Sequence, residues 1–170
     1  MSLSDSPNLW GLLRTPFRAL VSHIECELET AGYGDIRRAH FRVFRAASEV
    51  DGFSLTELAK QSQITKQSVA YLIDDLEQHG YAERVPNPDD GRVRIVRLTA
   101  KGRAVEREIR KIVARIEDEW SGRVGAEQFA TFRQTLAFLA ADLTRSGQTP
   151  TQTSPSARKR ERAGQLSDVA

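Results

Sequence analysis

The sequence predicts a mainly α-helical fold that carries one small β ribbon, and three observations lead to it. Apolar residues recur at steps of three and four through most of the chain, the period of amphipathic helices. Ser54 to Val85, SLTELAKQSQITKQSVAYLIDDLEQHGYAERV, reads as two helices about a short turn, followed by a strand. Asn87 to Gly102, NPDDGRVRIVRLTAKG, reads as a turn-rich tip, a second strand and the start of another helix.

The first helical stripe is Leu9, Leu12, Leu13, Phe17, Leu20, Val21, Ile24 and Leu28. Pro16 interrupts it, either kinking the helix or restarting it with Thr15 as N-cap. Gly32 and Gly34 end it, and a second helix from about Arg37 to Val50 places Phe41, Phe44, Ala47 and Val50 on one side, with Asp51-Gly52 as the turn out. Ser54 and Glu57 form a capping box for a third helix with Leu55, Leu58 and Ala59 in the core. Gln61 to Ile64 supply a turn. Thr65 then caps a fourth helix, whose buried stripe is Val69, Leu72, Ile73 and Leu76 and which Gly80 closes. Lys66, Gln67, Ala70, Tyr71 and Asp74 are left pointing outward.

Tyr81 to Val85 and Val93 to Leu98 are the expected strands, and the impure alternation of the second implies that both its faces are partly covered. Thr99 starts a long helix with Val105, Ile109, Ile112, Val113, Ile116 and Trp120 on its stripe. After Gly122 and Gly125 a last helix sets Phe129, Phe132, Leu136, Leu139 and Leu143 at alternating steps of three and four, a seam that wants a partner helix. From Ser146 onward Ser, Thr, Gln and Pro dominate, followed by the basic cluster Arg158, Lys159, Arg160 and Arg162, so residues 146–170 are expected to be a disordered tail.

The chain has 170 residues, enough for one domain or one small unit with flanking helices and too few for a catalytic domain as well. Charged residues make up 28% and apolar ones 39%, and no apolar run approaches the ~20 residues of a membrane span. The start, MSLSDSPN, lacks a signal-peptide pattern, so a cytoplasmic location is expected. Net charge is only +2, so distribution has to carry any argument about acidic partners. Between Arg84 and Arg103 stand Arg84, Arg92, Arg94, Arg97, Lys101 and Arg103 against Asp89 and Asp90, a basic ribbon directly after two helices in helix-turn-helix order.

This order of pieces resembles the MarR family of bacterial transcription regulators over roughly Asn8 to Leu143. The residues that carry the likeness are Leu58-Ala59, Leu76-Glu77, Gly80, Glu83-Arg84, Pro88-Asp89-Asp90-Gly91-Arg92, Leu98-Thr99 and Gly102. The resemblance implies a unit spanning 8–145, with a winged helix-turn-helix at about 36–103 and dimerisation helices at about 8–31 and 104–145. It further implies a homodimer on a pseudo-palindromic operator, half-sites lying about 34 to 36 Å apart. Leu9, Leu12, Phe132, Leu136, Leu139 and Leu143 would form the dimer interface. The helix beginning at Thr65 would enter the major groove, and Arg92, oriented by Asp90, the minor groove. Within that helix Thr65, Lys66, Gln67 and Ser68 occupy the first turn and Tyr71 the next; Gln67 suits adenine, and Lys66 guanine or phosphate. Arg94 is a further wing contact, while Asp74 would repel phosphate and mark the edge of the footprint. Relatives commonly hold small aromatic acids, so Arg14 or Arg38 is a candidate for an aromatic or anionic effector.

Other chemistry is thinly marked. Cys26 cannot form an intramolecular disulfide; a redox-sensing role needs a stabilised thiolate, which burial in an apolar stripe would disfavour. His23, Cys26 and Glu27 have metal-ligand spacing on one helix face but no identifiable fourth ligand, so neither metal nor cofactor is expected. No nucleophile-base pair or phosphate loop is visible, which argues against an enzyme. A winged helix used for protein association remains the alternative from another class, and it would want an apolar or aromatic anchor where Lys66 and Gln67 stand.

Overall fold

The fold, a computed structural model, describes residues 8–49 and 52–145. Helix α1 spans Leu9–Thr30, capped by the Asn8 side chain accepting from the Gly11 N–H. Pro16 lies inside it, so the helix runs on and Thr15 is not a second N-cap. Among the described residues, the stripe expected along α1 is only half buried. Val21, Ile24 and Leu28 are buried and α1 packs on α5 (Ala100–Val124), whereas Leu9, Trp10, Leu12, Leu13 and Phe17 are exposed.

The helix expected over Arg37 to Val50 divides into a 3-10 turn, Arg38–His40, and α2, Phe41–Glu49. Its inner face is Val43, Phe44 and Ala46, while Phe41 and Ala47 pack at the margin, a rotation of the predicted stripe. Val50 and Asp51, named above, lie outside the described residues, as does the tail 146–170. Helix α3, Leu55–Ser62, opens on the expected reciprocal cap between Ser54 and Glu57. The two hydrogen bonds from Ser54 hold the Glu57 carboxyl below its ordinary pKa.

Between α3 and α4 (Lys66–Gln78) the chain reverses through Gln63, which sits in the left-handed region at φ 54°. At the other end of α4, Gly80 takes φ 75°; its N–H donates to Glu77 O and that of Tyr81 to Leu76 O, closing the helix in a Schellman motif. Strands β1 (Ala82–Pro86) and β2 (Arg94–Leu98) pair antiparallel, with Arg84 opposite Val96. Phe53 adds a bridge to Val96 on the other edge of β2, a pairing no local pattern announced. Both faces of β2 are partly covered, as its impure alternation implied: Ile95, Val96 and Leu98 are buried and Arg97 half-buried.

Thr99 caps α5, which continues through Gly122 and ends at Gly125. The core joins Leu28, Val43, Leu58, Ile73, Val96 and Ile112, so α1 to α5 and the ribbon share one interior. The chain divides into two compact units at Ala130. Helix α6 (Ala126–Arg145) buries Phe129 in the first; in the second, Phe132, Leu136, Phe138, Leu139 and Leu143 are exposed.

Candidate nucleic-acid interface

The site begins with Thr65. Its extended backbone and side chain, which accepts from the Ser68 N–H at 3.1 Å, start α4 so that Lys66, Gln67 and Ser68 form an exposed first turn. The opposite face anchors the helix through Val69, Ile73 and Leu76. Tyr71, one turn on, is 74% exposed. An amphipathic helix with a polar, outward first turn beside a hairpin is the geometry by which base edges are read in a major groove.

The hairpin tip is built by local hydrogen bonds. The Asn87 N–H donates to Val93 O at 2.8 Å and the Val93 N–H to Asp90 O at 2.9 Å. Asp90 Oδ1 accepts from the Arg92 backbone N–H at 3.0 Å, and Asn87 Oδ1 from the Asp89 N–H. Asp90 thus shapes the turn on which Arg92 rides rather than gripping its guanidinium. Among the described residues no carboxylate forms an ion pair with Lys66, Arg92 or Arg94, and all three are exposed. Their charge is available to an acidic partner.

Arg84 is spent differently. Its guanidinium bridges from β1 back to α4, bonding Asp74 at 2.7 Å and also Glu77. Asp74 is therefore paired from within the protein, sharing one guanidinium with Glu77, and is not the isolated charge expected from sequence. Arg97 is half-buried, its Nε lacking a partner among the described residues. Replacing Arg84 with alanine strands two carboxylates beside the reading face. Allowing for solvent screening, the expected cost is about 1 kcal/mol, a fall in Tm of roughly 2 to 4 °C by calorimetry. An unchanged Tm would show that the brace carries no load.

Sequence reasoning missed Arg42. It lines, with Ala39, Ile64, Gln67, Ser68, Tyr71 and Leu72, an open groove of about 500 Å³ beside the first turns of α4. Only the tertiary approach of α2 to α4 places it there. Of the effector candidates, Arg14 is exposed on α1, and Arg38 lies with its guanidinium 5.2 Å from the Phe17 ring centre and its backbone N–H donating to Glu25. Cys26 is exposed, so the burial expected for it does not occur. Glu27 is held by Arg115 of α5, and among the described residues no cluster of His, Cys, Asp and Glu is arranged to hold a metal. No helix among them is long and apolar enough to cross a membrane.

Residues 35–93 match the family model described as MarR family. The HTH-type transcriptional repressor Rv2887 of Mycobacterium tuberculosis is 28% identical over 142 residues, covering 84% of this chain and all of that protein. The multiple antibiotic resistance protein MarR of Escherichia coli is 28% identical over 103 residues, 60% of this chain and 72% of that one. Among solved structures, the transcriptional repressor CouR bound to a 23-mer DNA duplex superposes with a TM-score of 0.63 at 27% identity, covering 78% of this chain and 92% of that one. The reduced form of MarR from E. coli gives 0.67 at 24%, covering 79% and 98%.

Proposed function

We infer, from the premise that the chain belongs to the MarR family of transcription regulators, that it is a ligand-responsive repressor working in the cytoplasm as a homodimer on a pseudo-palindromic operator. The observation that carries this reading is the exposed turn Lys66, Gln67 and Ser68, standing beside a hairpin whose Arg92 and Arg94 have no carboxylate partner among the described residues. Gln67 reads a base edge, Lys66 and Arg94 meet phosphates, and Arg92 reaches into the minor groove. Thr65, Ser68 and Tyr71 complete the contact surface, and Asp90 shapes the wing tip that presents Arg92.

Support for a second copy comes from the apolar faces left in water at the start of α1, where Leu9 is 70% exposed, and on α6. Leu9 and Leu12, and separately Phe132, Leu136, Leu139 and Leu143, are the surfaces the partner covers. The same reading keeps the winged helix at about 36–103 and gives the flanking helices to dimerisation. For the effector, a small aromatic or anionic molecule suits Arg14 and Arg38, whose neighbour Phe17 offers a ring.

Titrating Arg92→Ala and Gln67→Ala against a selected duplex and its scrambled counterpart tests the division of labour. Arg92→Ala should weaken both and make the dependence of log affinity on log salt shallower by about one unit. Gln67→Ala should leave that slope nearly unchanged and cost about 1 to 3 kcal/mol on the selected duplex alone. Identical losses on both duplexes for both variants would sink the assignment.

A further inference from the structure

One buried polar group is untouched by that reading. His40, closing the 3-10 turn, is 3% exposed, and its ring is fixed on both sides. Nδ1 accepts from the Arg37 backbone N–H at 3.1 Å, and an amide has no option but to donate. The ring proton is therefore on Nε2, which lies 3.0 Å from Asp75 Oδ2 on α4. Asp75 is placed along one edge of α4 with Ser68 and Leu72, at steps of four and three, so the bond reaches the edge that continues to the DNA-reading turn. It tethers α4 to the connector 35–40, which itself holds α1: the Arg38 backbone bonds Glu25 and its guanidinium covers Phe17. At its other end the connector holds β1's approach, Asp35 accepting from the Tyr81 hydroxyl at 2.6 Å.

We propose that His40 is a positioning residue for the recognition helix, its neutral Nε2–H tautomer latching α4 to the connector through Asp75. The inference rests on the DNA-reading role assigned above to α4. Asp75 and Gln67 are eight residues apart, about 12 Å along a helix, so a tilt of about 10° at the latch displaces the first turn by about 2 Å. A displacement of that size breaks a bidentate hydrogen bond to a base but is tolerated by a phosphate contact. Loss of the latch thus costs discrimination before it costs general affinity.

The Nδ1 side of the ring is sensitive to protons, whereas Nε2 stays a donor to Asp75 in either state. The groups that face His40 are Asp35 and Arg37 from the connector and Asp75 and His79 from α4. Burial holds its pKa below the ordinary 6.5, with the attraction of Asp75 opposing. Because the folded state binds the proton less readily than the unfolded one, the stability associated with the neutral ring is present above 6.5 and lost as pH falls through the folded pKa. A protonated ring would also set Nδ1–H against the Arg37 N–H.

Two substitutions divide the ring. His40→Gln keeps a donor near the Nε2 position and loses the acceptor for Arg37, whereas His40→Asn keeps the acceptor and falls short of Asp75. The probe is a duplex selected from a random pool by the wild-type chain, with its scrambled counterpart, and thermal unfolding confirms that each variant is folded at the assay temperature. His40→Asn should lose about tenfold in affinity for the selected duplex with little change on the scrambled one, and His40→Gln should stay within about threefold of wild type. Equal affinity for all three proteins, or equal losses for both variants, would overturn the latch, as would nitrogen chemical shifts placing the ring proton on Nδ1. Failure of the wild-type chain to enrich any duplex would instead overturn the DNA-reading role and, with it, the positioning role assigned to His40.

Discussion

The double substitution Leu136→Asp and Leu139→Asp should convert the proposed homodimer to monomer at micromolar concentration, seen as a halved mass by light scattering. Leu136 is 37% exposed and Leu139 47%, so less than half of each side chain is left for a partner to cover. At about 1 kcal/mol for that fraction, four leucines in a two-fold interface contribute about 4 kcal/mol. Burying carboxylates in their place adds several kcal/mol more against association. A nanomolar dimer holds about 12 kcal/mol, so losses on this scale carry its dissociation constant past the working concentration. Retention of an unchanged dimer would place the interface elsewhere and leave the α6 face to another partner.

Gly102→Ala should be the most damaging glycine-to-alanine change among the described residues. A Cβ at this position would overlap the Tyr81 carbonyl oxygen and stand 3.2 Å from Leu98 Cβ. That oxygen already accepts from the Thr99 N–H at 3.0 Å, so it is not free to move aside. Alanine in place of glycine ordinarily stabilises a helix by about 1 kcal/mol, and propensity alone therefore gives the opposite sign. Overlap with a backbone atom costs about 3 kcal/mol, so the steric effect wins by about 2 kcal/mol and Tm should fall by roughly 4 to 8 °C. A Tm within about 2 °C of wild type would mean that α5 can slide away from the ribbon without cost.

What could be read directly from the residues was whatever is settled within a few positions along the chain. Ser54 with Glu57, Thr65 with Ser68, and Gly80 after Leu76 announced helix ends because a cap is a local bargain between side chain and adjacent backbone. Strand limits differed by one residue, the usual blur at an end. The rest depended on partners distant in sequence. Phe53 pairs with Val96 across the ribbon, His40 with Asp75, and Arg84 with Asp74, and none of these bonds leaves a periodic trace. The face of α2 turned toward Val43 and Ala46 because its neighbours, α3 and α5, set where the interior lies. Pro16 was tolerated in mid-helix, and α1's stripe was legible in full even though half of it is exposed among the described residues. At the candidate interface the exposed turn and the wing were visible early. That Arg84 is an internal strut and that Arg42 joins the groove became visible only once the helices were packed.

The joint between α4 and the ribbon is held at several points: by Arg84 on Asp74 and Glu77, by the Thr99 hydroxyl donating to Gly80 O, and by the Lys101 ammonium, which bonds His79 O and lies over the Tyr81 ring. Reading turn and hairpin are thereby fixed like the two jaws of a caliper set to one gauge. With the groove contacts proposed above, the span from major-groove bases to the adjacent minor groove is dictated by the protein. Under the proposed homodimer, drift in target preference would come from changing what the jaws are tipped with, and tolerance of unequal spacing between half-sites from outside the caliper, in the helices proposed to join one copy to the next.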